Sequence, residues 1–257
     1  MYEYEGLQDV IFIALYCVAA FAALLACVYL LCRRGNAFMQ EKGPESVKTI
    51  ETPNGPLRLG SGVRSSLRLR RWTAALMAAI VGSHVWWYVL GQVWLTDDRL
   101  VRNIIAIALD HVTLVPLTMA VLLAMLQDRR RPLWPWLVAE VSAVVVTAVM
   151  GIAGRDEFWG YDVLGYCQLA LIAGFIVYYA LALRHYGRWL LDNFAALEHK
   201  EVWQSLVFAV GLFVVYEVYT SNGGELLREY LSQVVTLVII AFLLWRVETL
   251  QELKDEA

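Results

Sequence analysis

Apolar runs of about 20 residues recur along the chain, broken by short polar stretches, and inside the runs there is almost no charge. They predict helices near 9–32, 72–95, 101–126, 133–153, 161–184, 203–221 and 227–246. At 1.5 Å per residue each run is long enough, or nearly so, to cross a hydrocarbon layer of roughly 30 Å. The pattern therefore predicts an all-α membrane protein whose residues 1–257 form a single seven-transmembrane-helix bundle.

The polar stretches alternate in character. Four of them, 33–71, 127–132, 184–201 and 246–257, hold 17 of the 21 Lys and Arg residues, while Arg99, Arg102, Arg155 and Arg228 fall on the other side. By the positive-inside rule the basic side is cytoplasmic, which puts the N-terminus outside and the C-terminus in the cytoplasm. Trp72, Trp94, Trp134, Trp136, Trp159, Tyr161, Trp203 and Trp245 gather at the proposed interfaces, as aromatic anchors do. The start, Met-Tyr-Glu-Tyr-Glu, is acidic where a signal peptide is basic, so the first run is expected to be retained as a membrane helix.

The 33–71 loop is long and basic. Its Thr-Pro-Asn-Gly-Pro stretch at 52–56 either turns a short hairpin or belongs to a tether, and its 64–71 segment is read as a patch on anionic headgroups. Beyond helix five, Leu190, Phe194 and Leu197 make one apolar stripe, so that helix is expected to continue past the membrane. The 247–257 tail lacks Gly and Pro and is expected to carry helix seven into the cytoplasm. Val247, Leu250 and Leu253 fall near one face of it, which makes a homodimer through this stub a candidate.

The chain is 60% hydrophobic and 18% charged, with a net charge of −3, so the lipid bilayer is the first partner and nucleic acid is not expected. The cysteines, Cys17, Cys27, Cys32 and Cys167, have no metal spacing and read as small buried hydrophobes. No Lys lies inside a predicted helix, which excludes a retinal Schiff base, and helix seven holds no His for a zinc hydrolase. Nucleotide loops, nucleophile elbows and kinase acceptor boxes are missing, so an enzyme is not expected.

The candidate chemistry is a set of polar residues at membrane depth: His84, Asp110, His111, Glu140, Gln168 and Glu217. Ionisable groups there are costly and normally face the bundle interior. By helix count, His84, Asp110, His111 and Glu140 share one layer in the outer half, around a cavity lined also by Tyr166, Gln168, Glu217, Tyr219, Tyr230 and Gln233. Three readings compete: interhelical hydrogen-bond glue, a pocket for a small ligand or a proton, and a haem b or metal site on His84 and His111. No cofactor is predicted, and the haem is the alternative.

Residues 188–205, Arg-Trp-Leu-Leu-Asp-Asn-Phe-Ala-Ala-Leu-Glu-His-Lys-Glu-Val-Trp-Gln-Ser, resemble the cytoplasmic turn between helices five and six in multi-helix sensor regions of some bacterial sensor histidine kinases and related regulators. That resemblance implies a multi-pass sensor or receptor in the bacterial cytoplasmic (inner) membrane, passing a signal to a cytoplasmic partner or output domain. The rival readings are a proton- or ion-coupled transporter, for which midplane carboxylates and histidines would relay charge, and a membrane enzyme.

Overall fold

A computed structural model describes residues 7–33, 48–52, 55–59, 66–92, 99–153, 160–193, 201–220 and 225–253. Its helices are α1 (Leu7–Cys32), α2 (Leu67–Gln92), α3 (Arg99–Met125), α4 (Trp134–Ala153), α5 (Gly160–Asn193), α6 (Trp203–Thr220) and α7 (Glu225–Thr249). Five contain stretches long and apolar enough to cross a membrane: Val10–Cys32, Leu67–Leu90, Ile105–Met125, Gly165–Asn193 and Tyr230–Thr249. The described apolar stretches of α4 and α6, Trp134–Val146 and Trp203–Val215, are shorter. Each helix packs on its chain neighbours and α1 closes on α7, so the bundle is a ring in sequence order, with α2 also touching α7. Apart from the long α1–α2 loop, short connections between antiparallel neighbours favour that order.

Hydrophobicity does not decide which residues face inward. Val18, Phe21, Leu25 and Val28 line an exposed stripe of α1, whereas Ala19, Ala23 and Ala26 are buried. In lipid an outward Leu or Val costs nothing, and a seam of small residues lets backbones approach closely. The same rule corrects the reading of the cysteines: Cys17, Cys32 and Cys167 are exposed on outward faces and Cys27 is half-buried.

The core is densest at one end, where Leu30, Leu69, Met125, Leu126, Tyr186, Leu190, Val202, Val247 and Leu250 are buried together. This basic end holds the C-termini of α1, α3, α5 and α7 and the N-termini of α2, α4 and α6. Local geometry explains the starts and stops. The Ser66 carbonyl accepts from the Arg70 amide and opens α2 five residues before the predicted Trp72. The Leu133 carbonyl accepts from the amides of both Trp136 and Leu137 and opens α4, with Pro135 in the first turn, where its missing N–H costs little. Pro116 inside α3 removes one intrahelical bond near mid-helix.

Helix five does continue, to Asn193, with Leu190 in the core; Phe194 and Leu197 of the proposed stripe lie outside the described residues. The tail departs from expectation. Helix α7 stops at Thr249, and the Gln127 side chain clasps the chain beyond it, donating to the Gln251 carbonyl (2.9 Å) and accepting from the Leu253 amide (2.7 Å). Val247 and Leu250 are buried in this chain's own core and Leu253 packs against it, so the described part of the tail is neither a straight helical stub nor a free dimer face. Residues 254–257 lie outside the described residues. In the 33–71 loop, β1 (Lys48–Thr52) and β2 (Gly55–Leu59) pair antiparallel with Thr52 opposite Gly55, which realises the hairpin reading.

Candidate functional site

The polar residues at membrane depth separate into two places. The first joins α1, α2, α3 and α7. Tyr16 follows the start of α1 by nine residues, His84 precedes the end of α2 by eight, and Gln233 follows the start of α7 by eight. All three therefore sit roughly 12–14 Å from the end opposite the basic one.

His84 is buried and uses both ring nitrogens, Nδ1 against the Ile80 carbonyl (2.8 Å) and Nε2 against Gln233 Oε1 (3.0 Å). The Tyr16 ring lies against the imidazole with centroids 4.5 Å apart, and the Tyr16 hydroxyl donates to the His84 carbonyl. Phe12 packs against both Tyr16 and Tyr230, so an aromatic ladder runs down the α1–α7 seam to His84. The two acceptors around His84 define its chemistry. A charged ring donates to Ile80 and to the Gln233 carbonyl at once, whereas a neutral ring requires Gln233 to present its amide nitrogen instead.

Asp110 of α3 is held by the same stretch of α2, but not by His84. Its Oδ1 accepts from Ser83 Oγ (2.6 Å) and Trp86 Nε1 (3.2 Å), and its Oδ2 accepts from Trp87 Nε1 (2.8 Å). All three partners donate, so the carboxyl acts purely as an acceptor, and charge-assisted bonds of this kind offset much of the cost of its burial. Gly82 makes the geometry fit: a Cβ there would stand 2.9 Å from Cζ3 of Trp86, so only glycine leaves room for the indole to lie back along the helix. His111, adjacent to Asp110, turns away and gives Nδ1 to the Ile107 carbonyl one turn back (2.7 Å).

The second place lies between α4 and α5, where Gln168 Nε2 donates to Glu140 Oε1 at 2.5 Å with both side chains fully buried. The single cavity expected around His84, Asp110, His111 and Glu140 is thus corrected: equal depth along each helix does not bring side chains together when they point to different seams of a ring. Tyr166 is 73% exposed and lines no interior cavity. The side chains of Glu217 and Tyr219 lie outside the described residues. Among the described residues no group of three or more His, Cys, Asp or Glu converges as a metal site. Axial ligation of a haem by His84 through Nε2 would first have to break its bond to Gln233.

A further polar network at the basic end carried no signal in the apolar pattern. Arg70, expected on headgroups, is instead buried: its Nη1 lies 3.2 Å from Glu248 Oε1, its Nη2 donates to the Arg33 carbonyl (2.6 Å), and its guanidinium faces the Tyr29 ring. Arg246 donates to the Glu201 carbonyl, Tyr179 and Ser205 share a 2.7 Å hydrogen bond, and Arg131 forks onto Asp128 at 2.7 and 2.8 Å. The signal available in the sequence is the charged pair Arg246 and Glu248 at the end of an otherwise largely apolar helix, together with the basic start of α2.

Comparison with protein-family models, with curated proteins and with solved structures gives no match.

Proposed function

We propose that the chain is an integral membrane sensor or receptor with seven spans, its N-terminus outside and its basic end in the cytoplasm of a bacterial cell. In this reading a proton or a small polar molecule is recognised at His84, Gln233, Tyr16 and Asp110, and the response leaves through the basic end to a cytoplasmic partner or output domain.

One observation carries the proposal. The antiparallel helices α2 and α7 are clamped twice, by His84 with Gln233 deep in the bundle and by Arg70 with Glu248 at the basic end. The clamps are 14 residues apart on α2 and 15 on α7, roughly 21–22 Å on either helix. A change in the Gln233 contact would therefore act on a helix pair that is also held by a polar contact at its basic end, and in this reading that pair carries the response between the two.

Spin labels at positions 71 and 245, in a background lacking the native cysteines, read the α2–α7 separation at the basic end. His84→Gln, which replaces the imidazole in the Gln233 contact, is expected to change that separation relative to the wild-type background. The same separation in both backgrounds, or proton-coupled uptake by the protein in liposomes, would sink the sensor reading in favour of a transporter.

A further inference from the structure

A cavity of about 400 Å³ opens at the basic end between α5 and the loop joining α3 to α4. Its rim carries Arg129, Arg184, His185 and Arg188, all exposed, and its floor is Tyr178, Leu181 and Ala182. The α5 residues sort along the helix axis. From Tyr178 to Arg188 is ten residues, roughly 15 Å, and over that rise the lining changes from apolar to cationic. All of these α5 residues belong to the apolar stretch Gly165–Asn193, with the cationic ones nearer its basic end, and the Trp136 ring lies 5.5 Å from that of Tyr178.

Among the described residues no carboxylate lines the cavity to neutralise the rim. Asp128, beside Arg129 in the chain, is committed through both carboxylate oxygens to Arg131. Asp192, one turn beyond Arg188, does not line the cavity.

We propose that this cavity binds an anionic phospholipid, the phosphodiester headgroup between Arg129, Arg184 and Arg188 and the first part of an acyl chain along Leu181. Planar guanidinium groups match phosphate oxygens bidentately, and basic pockets between membrane helices are where anionic headgroups are held. A free phosphate ion would satisfy the same three arginines but has no use for the apolar strip. Leu181 is 63% exposed and Val177, one turn deeper, 60%, so the floor runs out onto the lipid-facing side of α5 as an acyl chain requires. The volume falls in the range of small-molecule sites, about 300–1,000 Å³. The inference is independent of the sensor reading and holds whichever leaflet the basic end faces.

Native mass spectrometry of the protein in detergent tests it, with phosphatidylglycerol, phosphatidylcholine and inorganic phosphate as separate probes. Phosphatidylglycerol is expected to bind at one saturable site. Arg184→Ala with Arg188→Ala removes two charge-assisted hydrogen-bonding partners of the headgroup and should weaken it by about 30-fold or more. Arg71→Ala with Arg130→Ala removes the same charge from exposed positions outside the cavity and should change binding less than about threefold. Leu181→Trp keeps every charge, fills the floor at an exposed position, and should also lower phosphatidylglycerol binding. Equal losses in the two double variants would reduce the site to diffuse attraction and overturn the proposal. So would normal lipid binding by Leu181→Trp, or inorganic phosphate binding as tightly as phosphatidylglycerol.

Discussion

Arg70 and Glu248 meet 3.2 Å apart with side chains only 4% and 2% exposed, although 178 residues separate them in the chain. Each satisfies the charge that the other buries at the basic end of the bundle. Breaking a buried pair strands a charge, at a cost of roughly 3–5 kcal/mol, whereas replacing both partners with apolar residues of similar volume is often neutral. Arg70→Met and Glu248→Leu should each lower the thermal midpoint in detergent sharply, and the double variant should recover much of the loss. Additive losses would show that the two side chains act independently.

The Gln127 clasp leads to a second expectation. Two residues inserted after Thr249 would turn the following chain by about 200° on a helix of 3.6 residues per turn. Here the chain after Thr249 is held by Gln127 and by the burial of Leu250, so the insertion pulls both out of register. It should destabilise the bundle, and Gln127→Ala should do so in the same direction but less. An insertion variant with wild-type stability and an altered output would restore the picture of a projecting tail.

The helices were legible because hydropathy reports length and composition, and those determine what crosses a bilayer. Predicted ends agree with the structure within a few residues except at the start of α2, where Arg68, Arg70 and Arg71 look like loop residues but extend the helix; α5 runs on past 184 as its apolar stripe predicts. The partners of the polar residues were not legible. A depth count places His84 and Asp110 in one layer, yet the seam each faces depends on rotation about the helix axis, and an all-apolar helix has no polar face to report rotation. Hence the sequence marks Gln233 as a lining residue without revealing its bond to His84, and nothing in it pairs Ser83, Trp86 and Trp87 with Asp110.

Those three donors give Asp110→Asn a defined signature. Asparagine keeps one acceptor oxygen but turns an N–H₂ toward donors, so at least one indole loses its partner, a cost of roughly 1–3 kcal/mol for an unsatisfied buried group. Tryptophan fluorescence should shift along with the thermal midpoint, and Gly82→Ala, by displacing Trp86, should shift fluorescence in the same way. His111→Gln should move neither by much, since His111 bonds only its own helix in the described network. Equal effects from Asp110→Asn and His111→Gln would remove the special standing of the Asp110 cradle.

Orientation is testable apart from everything else. With 17 of 21 basic residues on one side, a reporter active only in the cytoplasm should work when fused after Ala257 and fail when fused ahead of Met1. Protease access to the 33–71 loop from outside intact cells would reverse the topology and move the Arg70–Glu248 clamp to the outer surface.

The last expectation concerns the α4–α5 pair, where two atoms are left over. Gln168 Nε2 donates to Glu140 Oε1, while Glu140 Oε2 and Gln168 Oε1 are buried without a hydrogen-bond partner. Both are oxygens, and two acceptors cannot satisfy each other. A proton on Oε2 turns it into a donor and lets the carboxyl and the carboxamide close a ring of two hydrogen bonds, which also avoids burying a bare charge at a cost of at least about 2.5–3.5 kcal/mol. Glutamine has the shape of that protonated acid. Glu140→Gln should therefore fold normally and change stability by no more than the roughly 0.6 kcal/mol of an average interhelical hydrogen bond. Gln168→Leu removes both partners of the carboxyl at once and should be the more damaging substitution. Infrared spectroscopy gives a direct reading, because the wild type should show a protonated-carboxyl C=O band that Glu140→Gln abolishes. No such band, together with strong destabilisation by Glu140→Gln, would mean that the carboxylate is charged and that its partner is a cation still to be found.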